Sequence, residues 1–117
     1  MKILICEDNV IVAMNLEMAI EDAGHVSQGF VPTAAACRDK VKTRRPDLVL
    51  VDLDLADGPT GAALVDWLAD IGIPSIVVSG QADQVPVPRA VAALAKPVPD
   101  ADLIRAIAEA VALVEAD

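Results

Sequence analysis

Tyrosine is absent from this 117-residue chain, which has one Phe and one Trp. The core must therefore be aliphatic, and runs of Val, Ile, Leu and Ala of this kind suit layered α/β packing. Bases are also scarce. Nine Lys and Arg stand against eighteen Asp and Glu, a formal charge of −9. A basic patch is the footprint of nucleic-acid binding, so this domain is not expected to bind DNA or RNA. The acidic surplus suits metal cations or a basic partner. A solvated surface accounts equally well for most of these acids. Only Cys6 and Cys37 represent cysteine, with no CxxC, and both are expected to be buried free thiols. Only four apolar residues separate Met1-Lys2 from Glu7, which predicts no signal peptide. No apolar run approaches the roughly 18 residues of a membrane helix. The expectation is a cytoplasmic protein with no membrane contact.

What is present points to one packed domain over residues 1–117, since this length allows one real core and not two. A 55% hydrophobic, 23% charged composition excludes a disordered chain. Ile3 to Cys6 reads as a buried strand, and Asn9 as the N-cap of a helix carrying Val12, Leu16, Ala19, Ile20 and Ala23, closed by Gly24. His25 to Val31 is a weaker strand. Thr33 caps a helix with Ala34, Cys37 and Val41 inward, and Pro46 keeps that helix from continuing. Leu48 to Val51 is a strongly buried strand. Gly58-Pro59-Thr60 turns into a helix with Leu64, Leu68 and Ile71 inward, flanked by Val65 and Trp67 and ended by Gly72. Ile73 to Val78 is the next strand, ending at Ser79-Gly80. Pro86 and Pro88 make QADQVPVPRA a loop. Val91 to Ala95 is a fifth strand before Lys96-Pro97. Asp100 caps a last helix with Leu103, Ile104, Ile107, Val111 and Val114 on one face. Apolar strands alternating with helices mean a parallel sheet, here with five strands and four clear helices.

The informative feature is where the polar residues fall. The stretch VDLDLADGPTG ends an apolar run in two acids, Asp52 and Asp54, one residue apart. If the strand continued through them, both would point the same way, and like charges on a buried face are costly without a cation. The first strand ends at Glu7 and Asp8, the third at Asp52, the fourth at Ser79 and the fifth at Lys96. Open parallel α/β sheets bind ligands at the carboxyl ends of their strands. Three carboxylates, a hydroxyl and an ammonium are thus expected in one crevice, with the second strand at an edge. Clustered carboxylates hold hard cations such as Mg²⁺. A carboxylate is also a nucleophile toward phosphorus, giving an aspartyl-phosphate once the phosphoryl charge is neutralised. Each element alone is common. A DxD is seldom a phosphotransfer site, Glu7-Asp8 is an ordinary strand end, Ser79 an ordinary turn residue and Lys96 an ordinary loop lysine. Their order at four strand ends carries the inference. His25 and Arg44-Arg45 read as surface residues.

From ILICEDN through VDLDLADG and VVSG to AKP, the chain resembles the response-regulator receiver domains of two-component signalling over essentially its whole length. The resemblance implies a flavodoxin-like three-layer sandwich with strand order 2-1-3-4-5. It implies that Asp52 accepts a phosphoryl group, that Glu7, Asp8 and Asp52 bind Mg²⁺ with the Asp54 backbone carbonyl, and that Ser79 and Lys96 contact the phosphoryl group. It also implies a donor, a sensor histidine kinase or phosphotransfer protein, and a downstream protein partner. Such a domain is not an enzyme beyond self-phosphorylation and slow autodephosphorylation. The Lys96-Pro97 bond is often cis in this family.

The chain departs from the family pattern in several places. Ala93 stands three places before the lysine, where an aromatic residue is usual. The interval from Ser79 to Lys96 leaves the family's fourth helix short or missing. Ala56 replaces a common proline, and the DGPTG turn after it is one residue longer than is usual. With the EDNVIVAMNLE opening, these features resemble the receivers that serve histidine kinases of the HWE type. Two other readings compete. A phosphatase of the haloacid-dehalogenase type also uses a DxD, but on its first strand. A binding module that works without phosphorylation would share the fold.

Overall fold

The computed structural model describes residues 1–116, with nine elements. In chain order they are β1 (Lys2–Cys6), α1 (Val10–Asp22), β2 (Val26–Val31), α2 (Ala34–Thr43), β3 (Leu48–Val51), α3 (Gly61–Asp70), β4 (Ser75–Ser79), β5 (Ala92–Ala95) and α4 (Asp100–Glu115). The strands form one parallel sheet in the order β2-β1-β3-β4-β5. This is the flavodoxin-like arrangement of strands and helices that the resemblance implies, with β2 at an edge.

The central strands are apolar on both sides because helices cover both faces. Leu4, Val49, Val51 and Val77 pack with Cys37 and Val41 of α2 and Leu64, Val65 and Leu68 of α3. Ile3, Ile5, Leu48, Leu50, Ile76 and Val78 pack on the other face with Leu16 and Ile20 of α1 and Leu103 and Ile107 of α4. Burying one such side chain contributes about 1.5–3 kcal/mol, so this aliphatic core needs no aromatic filling. Cys6 and Cys37 are buried free thiols. The hydrogen bond with Cys37 and burial push the Cys6 thiol far up, so Cys6 is not a reactive thiolate.

Local signals act where their chemistry allows. Asn9 caps α1 by accepting from the Val12 N–H at 3.2 Å, and Thr33 caps α2 by accepting from Ala36 at 3.0 Å. Gly24 and Gly72 follow the ends of α1 and α3 with φ of 91° and 80°, a backbone that favours glycine. Asp100 does not cap α4. The N-cap is Pro99, and Asp100 sits in the first turn with Asp102, where acids complement the helix dipole. Ile71 is exposed because α3 stops at Asp70, and Val65, expected at the flank, is buried instead. On α4, Ala106 and Ala110 share the inward face with Leu103 and Ile107, while Ile104 and Val114 face solvent.

The segment 80–91 contains no helix and runs as turns. Ala82, Val85, Val87 and Ala90 lie against the core on the α2/α3 side. That thin cover leaves Ala93 and Ala95 of β5 exposed.

Candidate functional site

The acidic site lies at the carboxyl ends of β1 and β3, which pair through Cys6 and Val51. Just past these partners, the Asp52 N–H donates to the Cys6 carbonyl at 3.0 Å, which keeps the two strand ends level. Glu7, Asp8 and Asp52 follow, and one ligand oxygen from each lies within 4.8 Å of the others. Glu7 and Asp52 are buried, and Asp8 is exposed at the rim.

Lys96, just past β5, closes the other side. Its Nζ donates to Asp52 Oδ2 at 2.8 Å and to Glu7 Oε1. The second Glu7 oxygen accepts from the Asn9 backbone N–H at 3.1 Å. Both Glu7 oxygens are therefore engaged, although burial pushes its carboxyl pKa up against the lowering pull of Lys96 and Asn9. Burial also opposes the Lys96 charge, but hydrogen bonds to Asp52 and Glu7 prevail and raise its pKa. The peptide bond between Lys96 and Pro97 is cis. A cavity of about 350 Å³ lies beside Lys96, between α1 and the Lys96–Asp100 turn, and none of the three carboxylates lines it.

Asp52 and Asp54 do not share a strand face. β3 ends at Val51, so the alternation that would align them ends there too. Asp52 is 7% exposed and turned inward, while Asp54 is exposed. The Asp54 backbone N–H donates to Asp52 Oδ1 at 3.3 Å, so the loop curls around the buried carboxylate. Ser79 is buried at the end of β4, and its hydroxyl accepts from the Gln81 N–H at 3.1 Å.

Gly61 explains how the loop fits so closely. A Cβ there would lie 2.2 Å from the Asp52 carbonyl oxygen and 2.6 Å from Leu53 Cα. Only glycine lets α3 begin this near to the backbone of Asp52.

The donor set suits a hard divalent cation. All three side chains offer carboxylate oxygens, and three carboxylates with one ammonium leave two negative charges. An octahedral Mg²⁺ with oxygens at about 2.1 Å spans up to about 4.2 Å between opposite ligands. Exposed Asp8 has the freedom to close that small difference.

Two contributors escape a reading of motifs. Asn9 is legible as a cap, but its backbone bond to Glu7 is not. Asp57 accepts hydrogen bonds from Ala34, Ala35 and Thr60. The only sequence hint is its place three residues before a threonine in a glycine-bearing turn.

The chain is similar to several known proteins. The chain is 38% identical over 80 residues to the phyllosphere-induced regulator PhyR of Methylorubrum extorquens, covering 67% of this chain and 30% of that protein. It therefore spans under a third of that relative's length. The N-terminal domain of a response regulator/sensory box/GGDEF 3-domain protein from Carboxydothermus hydrogenoformans superposes with a TM-score of 0.87. The two are 25% identical, with 99% of this chain and 98% of that one covered. The anti-anti-sigma factor PhyR of Bartonella quintana gives a TM-score of 0.84 at 27% identity, over 97% of this chain and 48% of that one. The response regulator receiver domain family matches residues 3–108, from β1 into α4. With that match over most of the chain and the same sheet order, the chain belongs to the response regulator receiver domain family.

Proposed function

We propose that residues 1–117 form one receiver domain that takes a phosphoryl group from a histidine-kinase phosphohistidine onto Asp52. The observation that carries this reading is the meeting of Glu7, Asp8, Asp52 and Lys96 at the ends of β1, β3 and β5. An Asp52 carboxylate oxygen attacks phosphorus, the N–P bond breaks, and its electron pair returns to the donor imidazole. Asp52 is held for this attack by Lys96 and by the Asp54 N–H. The Lys96 ammonium then pairs with the phosphoryl oxygens, and the Ser79 hydroxyl donates to one of them. Glu7, Asp8, Asp52 and the Asp54 backbone carbonyl would hold Mg²⁺. That ion neutralises phosphoryl charge when bound.

The domain accepts and slowly loses its phosphoryl group but turns over no other substrate. Its donor is a sensor histidine kinase of the HWE type or a phosphotransfer protein, and its output is altered binding of a protein partner. The likeness to PhyR, and the thin cover over Ala93 and Ala95 of β5, support the HWE placement. The anti-anti-sigma role named for the Bartonella protein supports an output in sigma-factor control. Among the described residues no helix is long and apolar enough to cross a membrane. With the acidic charge, this supports a cytoplasmic domain that binds neither membrane nor nucleic acid.

Intact-protein mass after incubation with acetyl phosphate and Mg²⁺, beside Asp52→Asn, tests the reading. One added phosphoryl group that needs both Mg²⁺ and Asp52 is expected. No adduct with the donor untouched would leave a phosphorylation-independent binding module. Donor consumed without a lasting adduct would favour a phosphatase.

A further inference from the structure

Asp57 lies outside the acidic site and is exposed, yet it is among the most heavily engaged carboxylates among the described residues. Its Oδ1 accepts from the Thr60 hydroxyl at 2.8 Å and from the Ala34 N–H at 3.2 Å, and its Oδ2 accepts from the Ala35 N–H at 3.3 Å. Ala56 beside it donates its N–H to the Pro32 carbonyl at 3.0 Å.

The first N–H groups of a helix have no partner within it. In α2, Thr33 satisfies only that of Ala36. Asp57 takes those of Ala34 and Ala35 from a different part of the chain, and a carboxylate there also complements the helix dipole. The start of α2 is thus capped from two segments. One of them is the loop after β3, which carries Asp52 and Asp54.

That loop is pinned at its ends by Asp52 N–H to Cys6 carbonyl and Gly61 N–H to Leu53 carbonyl. Between them, Leu55 and Gly58 exchange both backbone hydrogen bonds at 3.0 Å and make residues 55–58 a tight unit. Asp57 sits inside that unit, and Asp54 directly precedes it. We infer that Asp57 is a positioning residue for phosphoryl acceptance: by fastening the 55–58 turn to α2, it holds the Asp54 backbone at the mouth of the carboxylate site. This rests on the receiver reading above. It assigns the work to a side chain that touches neither metal nor phosphoryl group.

The test compares wild type, Asp57→Ala and Asp57→Asn in the full chain. Mg²⁺ alone is titrated calorimetrically, and the rate of phosphorylation by acetyl phosphate is followed against Mg²⁺ concentration. Thermal midpoints without Mg²⁺ report any general loss of stability. Outer-shell partners of metal sites typically contribute 10–100-fold to affinity. For a partner acting through the backbone, the expected rise in half-saturating Mg²⁺ for Asp57→Ala is about tenfold. The rate at saturating Mg²⁺ should stay close to wild type, and Asp57→Asn, which keeps an acceptor oxygen, should fall between. An unchanged half-saturation in Asp57→Ala overturns the inference, whatever the thermal midpoint does. So does a rate lowered equally at every Mg²⁺ concentration. If wild type itself neither binds Mg²⁺ nor gains a phosphoryl group, the receiver reading fails instead.

Discussion

Lys96 Nζ stands 2.8 Å from Asp52 Oδ2 and bonds Glu7 with the same ammonium. One cation, supplied from just past the last strand, thus stands between two buried acids that follow β1 and β3. Removing it leaves the two carboxylates without a cation between them, with only the Asn9 and Asp54 N–H groups as donors. Lys96→Ala is expected to lower stability by about 1–3 kcal/mol without Mg²⁺, less than a fully buried pair would lose because Lys96 is 23% exposed. Mg²⁺ should restore more stability to this variant than to wild type. Urea unfolding with and without Mg²⁺ measures both, and equal Mg²⁺ stabilisation of the two proteins would contradict the account.

Asp54 is exposed two residues after Asp52, and on the receiver reading its charge is expected near the path of a water that would hydrolyse the aspartyl-phosphate. An exposed like charge near a reacting centre is of order 1 kcal/mol in water. Asp54→Asn should therefore speed loss of the phosphoryl group by about fivefold. A dephosphorylation rate that is unchanged or slower would show that this charge does not protect the acyl phosphate.

Gly61→Ala puts a methyl group into the backbone of Asp52 and Leu53, which no side-chain rotation relieves. The expected cost is roughly 1–3 kcal/mol or more, with phosphorylation impaired because the Asp52 loop must shift. Thermal unfolding and the acetyl phosphate assay read the two effects. Wild-type behaviour in both would mean that α3 can back away freely.

Ser79, at the end of β4, contacts the turns that follow it. Its hydroxyl accepts from Gln81, and the Gln81 carbonyl accepts from Gln84 and Val85. Drawing Ser79 toward a phosphoryl group should order residues 81–89. Amide exchange there is expected to slow on phosphorylation. Identical exchange in the free and phosphorylated forms would disconnect this segment from Asp52.

The Asp57 carboxyl lies below its ordinary value, held there first by the Thr60 hydroxyl and then by the Ala34 and Ala35 N–H groups. A depressed native pKa means that the ionised group stabilises the fold. That contribution is present above the unfolded value, near 3.8, and is lost as pH falls through the lower native one. The stability gap between wild type and Asp57→Ala should be constant near neutrality and shrink in strong acid. Paired thermal melts across that range check it, and a gap that widens toward acid would reverse the sign.

Much of the site was legible because its chemistry coincides with strand ends. Glu7-Asp8, Asp52, Ser79 and Lys96 each follow an apolar run, and apolar runs are what mark buried strands in a sequence. The same logic found the missing helix, since Pro86 and Pro88 deny it backbone donors. Positions decided by tertiary geometry were not legible. Whether Asp52 and Asp54 share a face depends on β3 stopping at Val51, which the pairing with β1 and β4 sets. Ile71 fits a helical stripe as well as Leu68 does, but only the end of α3 puts it in solvent. On α4, Ala106 and Ala110 join Leu103 and Ile107 on the inward face and Val111 packs at its margin, while Ile104 and Val114 face solvent. Asp57 acts on residues more than twenty places earlier in the chain, and no local pattern announces a partner at that distance.

The thin cover over the α2/α3 side of β5 is expected to give the domain an uneven stiffness. One face of the sheet is clamped by α1 and α4, whose internal hydrogen bonds must break together. Beyond β4 the other face is covered by a few turns resting on Ala82, Val85 and Val87. Deformation follows the path of least resistance, so any strain created at Asp52 should spread toward Ala93 and Ala95 rather than toward α1. On the receiver reading, a response is expected to follow the thin side of the architecture, with no bulky aromatic side chain at Ala93 to direct it.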